Sequence, residues 1–258
     1  MIIQEHATTY RLITQHDHGR ISGIFAQAWR DPVTGERASE ALIHATYLHD
    51  ILWVPIDLLP RFANGKPLDF IAFPEDDKLE AYAHGIVSVS SIDAYMGLLH
   101  ARHFSEFISR EQHPRFRSEM DALISDLTAR ISSTERERAD DDLALLRLFD
   151  VFSLLLCMTG PHIARTPPPW LDPSPLLVRR GLDAFWPARD QFALSPYVFD
   201  RALSVRIPYR EVPKTSDAAV LLEAYAGAPT LWQEVHVRAP SQAEMAARTR
   251  ARASSIRA

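Results

Sequence analysis

The chain has 258 residues, of which 47% are hydrophobic, 24% charged and 9% aromatic. These are the proportions of a globular protein able to bury a sizeable core, and they exclude whole-chain disorder and fibrous repeats. The net charge of −5 is unevenly spread: in residues 241–258 four arginines face Glu244 alone, a local +3, which leaves the body at −8. An acidic body argues against a nucleic-acid partner. Mean hydropathy is −0.13, and the longest uncharged apolar run, Val151 to Gly160, falls far short of the roughly 20 residues of a membrane span. The opening Met1-Ile2-Ile3-Gln4-Glu5-His6 lacks a basic region followed by an apolar one, and a single cysteine builds no disulfide framework. The expectation is a cytoplasmic protein without a membrane partner.

Taken in chain order, residues 1–160 read as a helical domain with short N-terminal strands. Thr8 to Thr14 is β-branched and aromatic, hence extended. His18 to Arg30 spaces Ile21, Ile24, Phe25, Ala28 and Trp29 as a helical stripe closed by Asp31-Pro32. Ser39 caps a helix running to Trp53, and further helices are expected over Ser91–Ser109, Pro114–Ser132 and Asp140–Met158. From 161 to 240 the character changes. Ten of the 18 prolines lie between Gly160 and Pro213, and Arg165-Thr166-Pro167-Pro168-Pro169-Trp170 cannot be helix interior. Beyond this crossing segment Leu203–Ile207 and Leu231–Arg238 alternate with period two, and a helix capped by Ser216 lies between them. Residues 241–258 read as a flexible basic tail. The expected fold class is mainly α: a helical bundle carrying a small β-sheet, an α+β appendage formed by the N- and C-terminal segments.

Six of the 11 histidines fall in three groups: His16 and His18, His44 and His49, His100 and His103. His100 and His103 share a helix face at i, i+3. His44 and His49 diverge by roughly 140° on a helix, which separates His44 from any site built on His49. His49 and Asp50 are adjacent and diverge by about 100°, so they reach one ion only if both side chains bend toward it. His6, His84, His113, His162 and His236 read as structural, and Cys157 as a small buried hydrophobe.

This pattern resembles the HD superfamily of metal-dependent phosphohydrolases. His18, followed by Ser22-Gly23, is similar to that family's first histidine. Tyr47-Leu48-His49-Asp50-Ile51 resembles its His-Asp motif, and Leu148-Phe149-Asp150-Val151-Phe152-Ser153-Leu154 its closing aspartate. A closer resemblance, over about residues 10–160, is to the uncharacterised bacterial domain-of-unknown-function family 3891. It shares Ile13-Thr14-Gln15-His16-Asp17-His18, Trp53, Gly65-Lys66-Pro67-Leu68-Asp69-Phe70 and the Leu148–Asp150 stretch into Cys157. Where those relatives follow His-Asp with an acidic residue and a glycine, this chain has Ile51 and Leu52.

The resemblance implies an HD-like fold and a divalent transition metal (Mn, Fe, Co, Ni or Zn) held by His18, His49, Asp50 and Asp150, with imidazole and carboxylate donors suited to such ions. Asp50, His100 and His103 become catalytic candidates, the two histidines as second-site ligands or donors to phosphate. Asp17, His16 and Trp53 would support the ligands from behind, and Arg20, Lys66 and Arg102 would contact phosphate. Plainer readings stand beside these. Asp150 could pair with Arg147, His100 and His103 could be a helix face folded on the core, His16 could be a surface residue and Lys66 a turn residue.

Only nine glycines occur, and Gly-x-Ser-x-Gly, Walker and Gly-x-Gly-x-x-Gly patterns are missing. Two functions are carried forward. One is a metal-dependent phosphohydrolase acting on a small phosphorylated, nucleotide-like molecule. The other is a non-catalytic HD-like module binding a ligand or partner through a degenerate site. A homo-oligomer is left open.

Overall fold

The computed structural model describes residues 1–63, 65–163, 166–172 and 174–255. Two strands, β1 (Ile2–Glu5) and β2 (Thr9–Ile13), lead into helix α1 (Gln15–Ala28). Thr14 caps α1, its hydroxyl oxygen accepting from the Asp17 amide. Helix α2 (Glu40–Leu48) is capped by Ser39 as expected, but it stops at Leu48. A 3-10 turn (Ile51–Trp53) and the single-turn α3 (Val54–Asp57) follow, where the sequence predicts one unbroken helix to Trp53. After a small hairpin of β3 (Phe62–Ala63) and β4 (Lys66–Pro67) come α4 (Glu75–Ile92), α5 (Ala94–Ser105), α6 (Pro114–Arg130) and α7 (Ser133–Met158).

Helix α4 is absent from the sequence-based expectation. Its apolar stripe is thin, with Tyr82, Ile86 and Val89 the buried hydrophobics, and Gly85 and three serines interrupt it. The legible signal is Pro74 followed by three acidic residues in the first turn, which complement the helix dipole. Helix α7 begins seven residues before the predicted Asp140, because Ser132 and Glu135 close a reciprocal capping box there.

The fold class is corrected from mainly α to α+β. About 52% of the chain is helical, but a six-stranded sheet of order β1-β2-β7-β8-β6-β5 stands against the helices. Helix α8 (Pro175–Arg179) precedes β5 (Asp183–Ala188), β6 (Gln191–Ser195) and β7 (Leu203–Pro213). Helix α9 (Ala218–Gly227) then leads to β8 (Leu231–Arg238). The cap of α9 is Asp217, which accepts from the Ala219 and Val220 amides, and not Ser216. All neighbours in the sheet are antiparallel except β6 and β8. The N-terminal strands do join the C-terminal ones, Tyr10 lying opposite Val212. Prolines conceal the sheet's extent: Pro187 sits in β5, and β7 runs on through Pro208 to Pro213.

The sheet walls the bundle's own core. Phe192, Leu194, Val205, Ile207, Val235 and Val237 belong to the same buried cluster as Phe25, Phe149 and Phe152 of α1 and α7. A second cluster gathers Trp53, Phe73, Tyr82, Ile86 and Phe104 under α4 and α5. Among the described residues no helix is long and apolar enough to cross a membrane. The basic tail is helical as α10 (Gln242–Ser255), started by Ser241 and Glu244, whose carboxylate also pairs with Arg238. Arg165 and Arg257 lie outside the described residues.

Three glycines admit close neighbours, among them Gly97, where a Cβ would lie 2.7 Å from Ser90 Cα. A Cβ on Gly23 would lie 2.2 Å from the Tyr47 ring, and one on Gly85 would lie 2.2 Å from Leu52 Cβ. Leu52 is thus housed by the missing side chain of α4. Gly85→Ala is expected to cost about 1–3 kcal/mol by overpacking, while Leu52→Gly, which removes the clashing Cβ itself, costs at least about 2–5 kcal/mol as a cavity. In urea unfolding the double variant should lose less than the two single losses combined; strict additivity contradicts the contact.

Candidate metal centre

Three segments converge. Helix α1 supplies His18, the end of α2 supplies His49 and Asp50, and α7 supplies Asp150. His18 Nε2 lies 3.1 Å from Asp50 Oδ2 and 3.2 Å from Asp150 Oδ1. His49 Nε2 lies 3.5 and 3.6 Å from the same two oxygens. The early end of α2 makes this possible. Asp50 leaves helical geometry, with φ −101° and ψ 15°, so the 100° divergence that adjacent residues have on a helix no longer applies and both side chains turn to one point. His18, His49 and Asp50 are buried, and Asp150 keeps 13% of its side chain exposed.

Backbone and hydroxyl partners set the imidazoles. His49 Nδ1 is 2.8 Å from the Thr46 carbonyl, which only accepts, so Nδ1 carries the hydrogen and Nε2 faces the carboxylates. His18 Nδ1 is 2.5 Å from Ser153 Oγ, which donates to the Asp150 carbonyl and meets Ser22 Oγ at 2.7 Å. His49 Nε2 is shut from solvent with no hydrogen-bond partner. Buried polar groups are rarely left so. An orphaned imidazole nitrogen between two carboxylates and a second imidazole is a fitting donor set for a divalent ion, and ligand atoms of His18, His49 and Asp150 all lie within 4.8 Å of one another.

The electrostatics are those of a tightly compensated cluster. Burial opposes charge on His18 and His49, yet the two aspartates prevail and raise both pKa values, that of His49 to about 9. Burial likewise opposes ionisation of Asp50 and Asp150, but the imidazoles hold both below the ordinary carboxylate range. His103 Nε2 is 3.8 Å from Asp150 Oδ2, and its ring meets those of His49, Phe104 and Phe107 edge-on. Burial pushes His103 down to about 3 and His100 to about 4, so both are neutral at pH 7. His100 is turned to α2, with Nε2 2.8 Å from the Ala45 carbonyl.

The other expected site residues lie outside this cluster of ligand atoms. Asp17 accepts from the Thr14 hydroxyl and lies 3.8 Å from Arg20, which is largely exposed. Arg102 pairs with Asp140, and Lys66 is exposed on the β3–β4 hairpin. Trp53 packs against Phe73 and Tyr82, while its backbone amide donates to the Asp50 carbonyl. His16 stands half-buried in the first turn of α1. Arg147, the plain partner for Asp150, instead pairs with Glu106. Sequence reasoning overlooked Ser153 and Ser22 as supports; the only signal was their place beside the two ligand motifs.

The profile of a family described as "Protein of unknown function (DUF3891)" matches residues 1–214, more than three quarters of the chain. The chain belongs to the DUF3891 family. The DUF3891 match runs from β1 through β7 and contains His18, His49, Asp50 and Asp150. Neither a curated protein nor a solved structure matches the chain.

Two outcomes follow. Ser153→Ala frees His18 Nδ1 and is expected to weaken metal binding about 10–100-fold, whereas His44→Ala, on the exposed face of α2, leaves it unchanged; titration calorimetry measures both. The second concerns the metal-free protein. His49, raised from 6.5 to about 9, contributes stability that is present below pH 6.5 and is lost as pH rises through about 9. The urea-midpoint gap between wild type and His49→Gln should therefore narrow over that window, and a gap independent of pH contradicts the pairing.

Proposed function

We propose that this protein is a metal-dependent hydrolase of small phosphate esters, built on an HD-type site. The observation that carries the reading is the convergence of His18, His49, Asp50 and Asp150 from three segments, with His49 Nε2 buried and unpartnered between the carboxylates. His18, His49, Asp50 and Asp150 would hold the ion. Bound there, a divalent metal supplies Lewis-acid polarisation of a phosphoryl oxygen and a more acidic water.

The chain's own residues do the rest. Asp50 and Asp150 provide two negative charges that offset a divalent ion, and Thr46 and Ser153 keep each imidazole's Nε2 lone pair pointed inward. His103, neutral beside Asp150 and edge-on to the exposed Phe107, can hydrogen-bond through Nε2 to a group bound beside the cluster. Arg147, one turn before Asp150 on α7, holds a guanidinium near the partly open side of the cluster.

A second reading, a non-catalytic module, draws support from Ile51 and Leu52. Leu52 is buried in the Trp53 cluster, so no carboxylate follows Asp50 in the 3-10 turn.

Protein purified without chelator is expected to carry a near-stoichiometric transition metal that is lost in His49→Ala and Asp150→Ala. With that metal it should release phosphate from a panel of phosphomonoesters, the variants falling at least about 100-fold. Bound metal with no phosphate release favours the second reading. A protein that binds none of Mn, Fe, Co, Ni or Zn contradicts both the site and the hydrolase.

A further inference from the structure

A cavity of about 260 Å³ lies where the start of α1 and α3 meet β7 and α9. It is separate from the four ligand side chains, none of which lines it. Leu12, Val54, Leu58, Tyr209 and Tyr225 give it mostly apolar walls. Its volume is below the roughly 300–1,000 Å³ typical of drug-sized ligands, so it suits a compact molecule of one ring or a short branched chain.

The polar lining is asymmetric in what it has left to offer. Asp57 is engaged by two internal partners: one oxygen lies 2.8 Å from the Met1 ammonium and the other accepts from the Gln15 amide at 2.5 Å. Asp17 accepts from Thr14 at 2.7 Å and lies 3.8 Å from Arg20. Arg210 is different. It donates one N–H to the Tyr225 carbonyl at 3.0 Å and rests 4.8 Å over the Tyr225 ring, and among the described residues no carboxylate pairs with it. His16, also on the wall, has Nδ1 shut from solvent without a partner. The carboxylates are thus engaged within the protein, while among the described residues the Arg210 guanidinium has no carboxylate partner and His16 Nδ1 no hydrogen-bond partner.

We propose that this cavity binds a small carboxylate with a single-ring or branched apolar body, its anionic head on Arg210 and its body between Leu12, Tyr225 and Leu58. A guanidinium prefers a planar, bidentate anion, and the aromatic and aliphatic walls cover the remainder. The site goes beyond the proposed hydrolase, because its binding is read without metal or turnover. It also touches both segments that carry metal ligands: Thr14 to Asp17 run into His18, and Val54 to Leu58 follow His49-Asp50.

The test is ligand-observed NMR titration of the full chain with benzoate and, as its uncharged counterpart, benzyl alcohol. Benzoate is expected to bind saturably, on the order of millimolar or tighter, with benzyl alcohol at least about 10-fold weaker. Arg210→Met should weaken benzoate by about 10–100-fold. Leu58 is 69% exposed at the cavity wall, so Leu58→Trp can fill the space without disturbing the core, and it should abolish binding even if the Arg210 variant fails to fold. No saturable benzoate binding, equal affinity for benzyl alcohol, or full affinity in folded Leu58→Trp each overturns the proposal.

Discussion

Two carboxylates, Asp50 and Asp150, are held against an apolar bundle, and the surrounding structure depends on their neutralisation. An isolated ionised carboxylate out of water is expensive, and here two share a cluster only a few ångströms across. The chain answers with His18 and His49, whose pKa values the carboxylates raise against the cost of burial, that of His49 to about 9. Protons on the imidazoles offset the carboxylate charge, and so does one divalent cation with neutral imidazoles. Binding the metal therefore exchanges imidazole protons for the cation. Such an exchange makes metal affinity rise with pH.

The geometry that brings these groups together is bought by interrupting α2. Continued past Leu48, that helix would point His49 and Asp50 apart; ended there, it turns both inward and leaves Trp53, through its backbone amide, closing the turn on the Asp50 carbonyl. Close approach of the helices needs small residues, and Gly23 against the Tyr47 ring and Gly85 against Leu52 mark where a methyl group would not fit. Ser22 and Ser153 then link α1 to α7 directly behind His18. Helices α1, α2 and α7 and the sheet behind them share one core, so the ligands sit on rigid elements.

The residues of this cluster were legible in the sequence because each carries its chemistry in its identity: His18, the His49-Asp50 pair and an aspartate amid Phe149, Val151 and Phe152 are all costly unless partnered. Their supports were not legible. Ser153 is an ordinary serine in an apolar helix until the fold sets its hydroxyl on His18. His100 and His103 share a face as their spacing required, yet one bonds the Ala45 carbonyl and the other borders Asp150, a division decided by which helix each meets. The mainly α expectation failed because prolines within β5 and β7 disguise strands whose pairing partners lie far along the chain. Helix α4 failed for a local reason, since Gly85 and its serines weaken the periodic signal.

The central claim is that His18 and His49 face one ion through Nε2 beside Asp50 and Asp150. X-ray absorption at the metal edge of zinc- or cobalt-loaded protein tests it most directly. The account predicts a nitrogen and oxygen shell containing two imidazoles, reduced to one in His18→Ala. A shell without imidazole scattering, or one unchanged by that substitution, would contradict it.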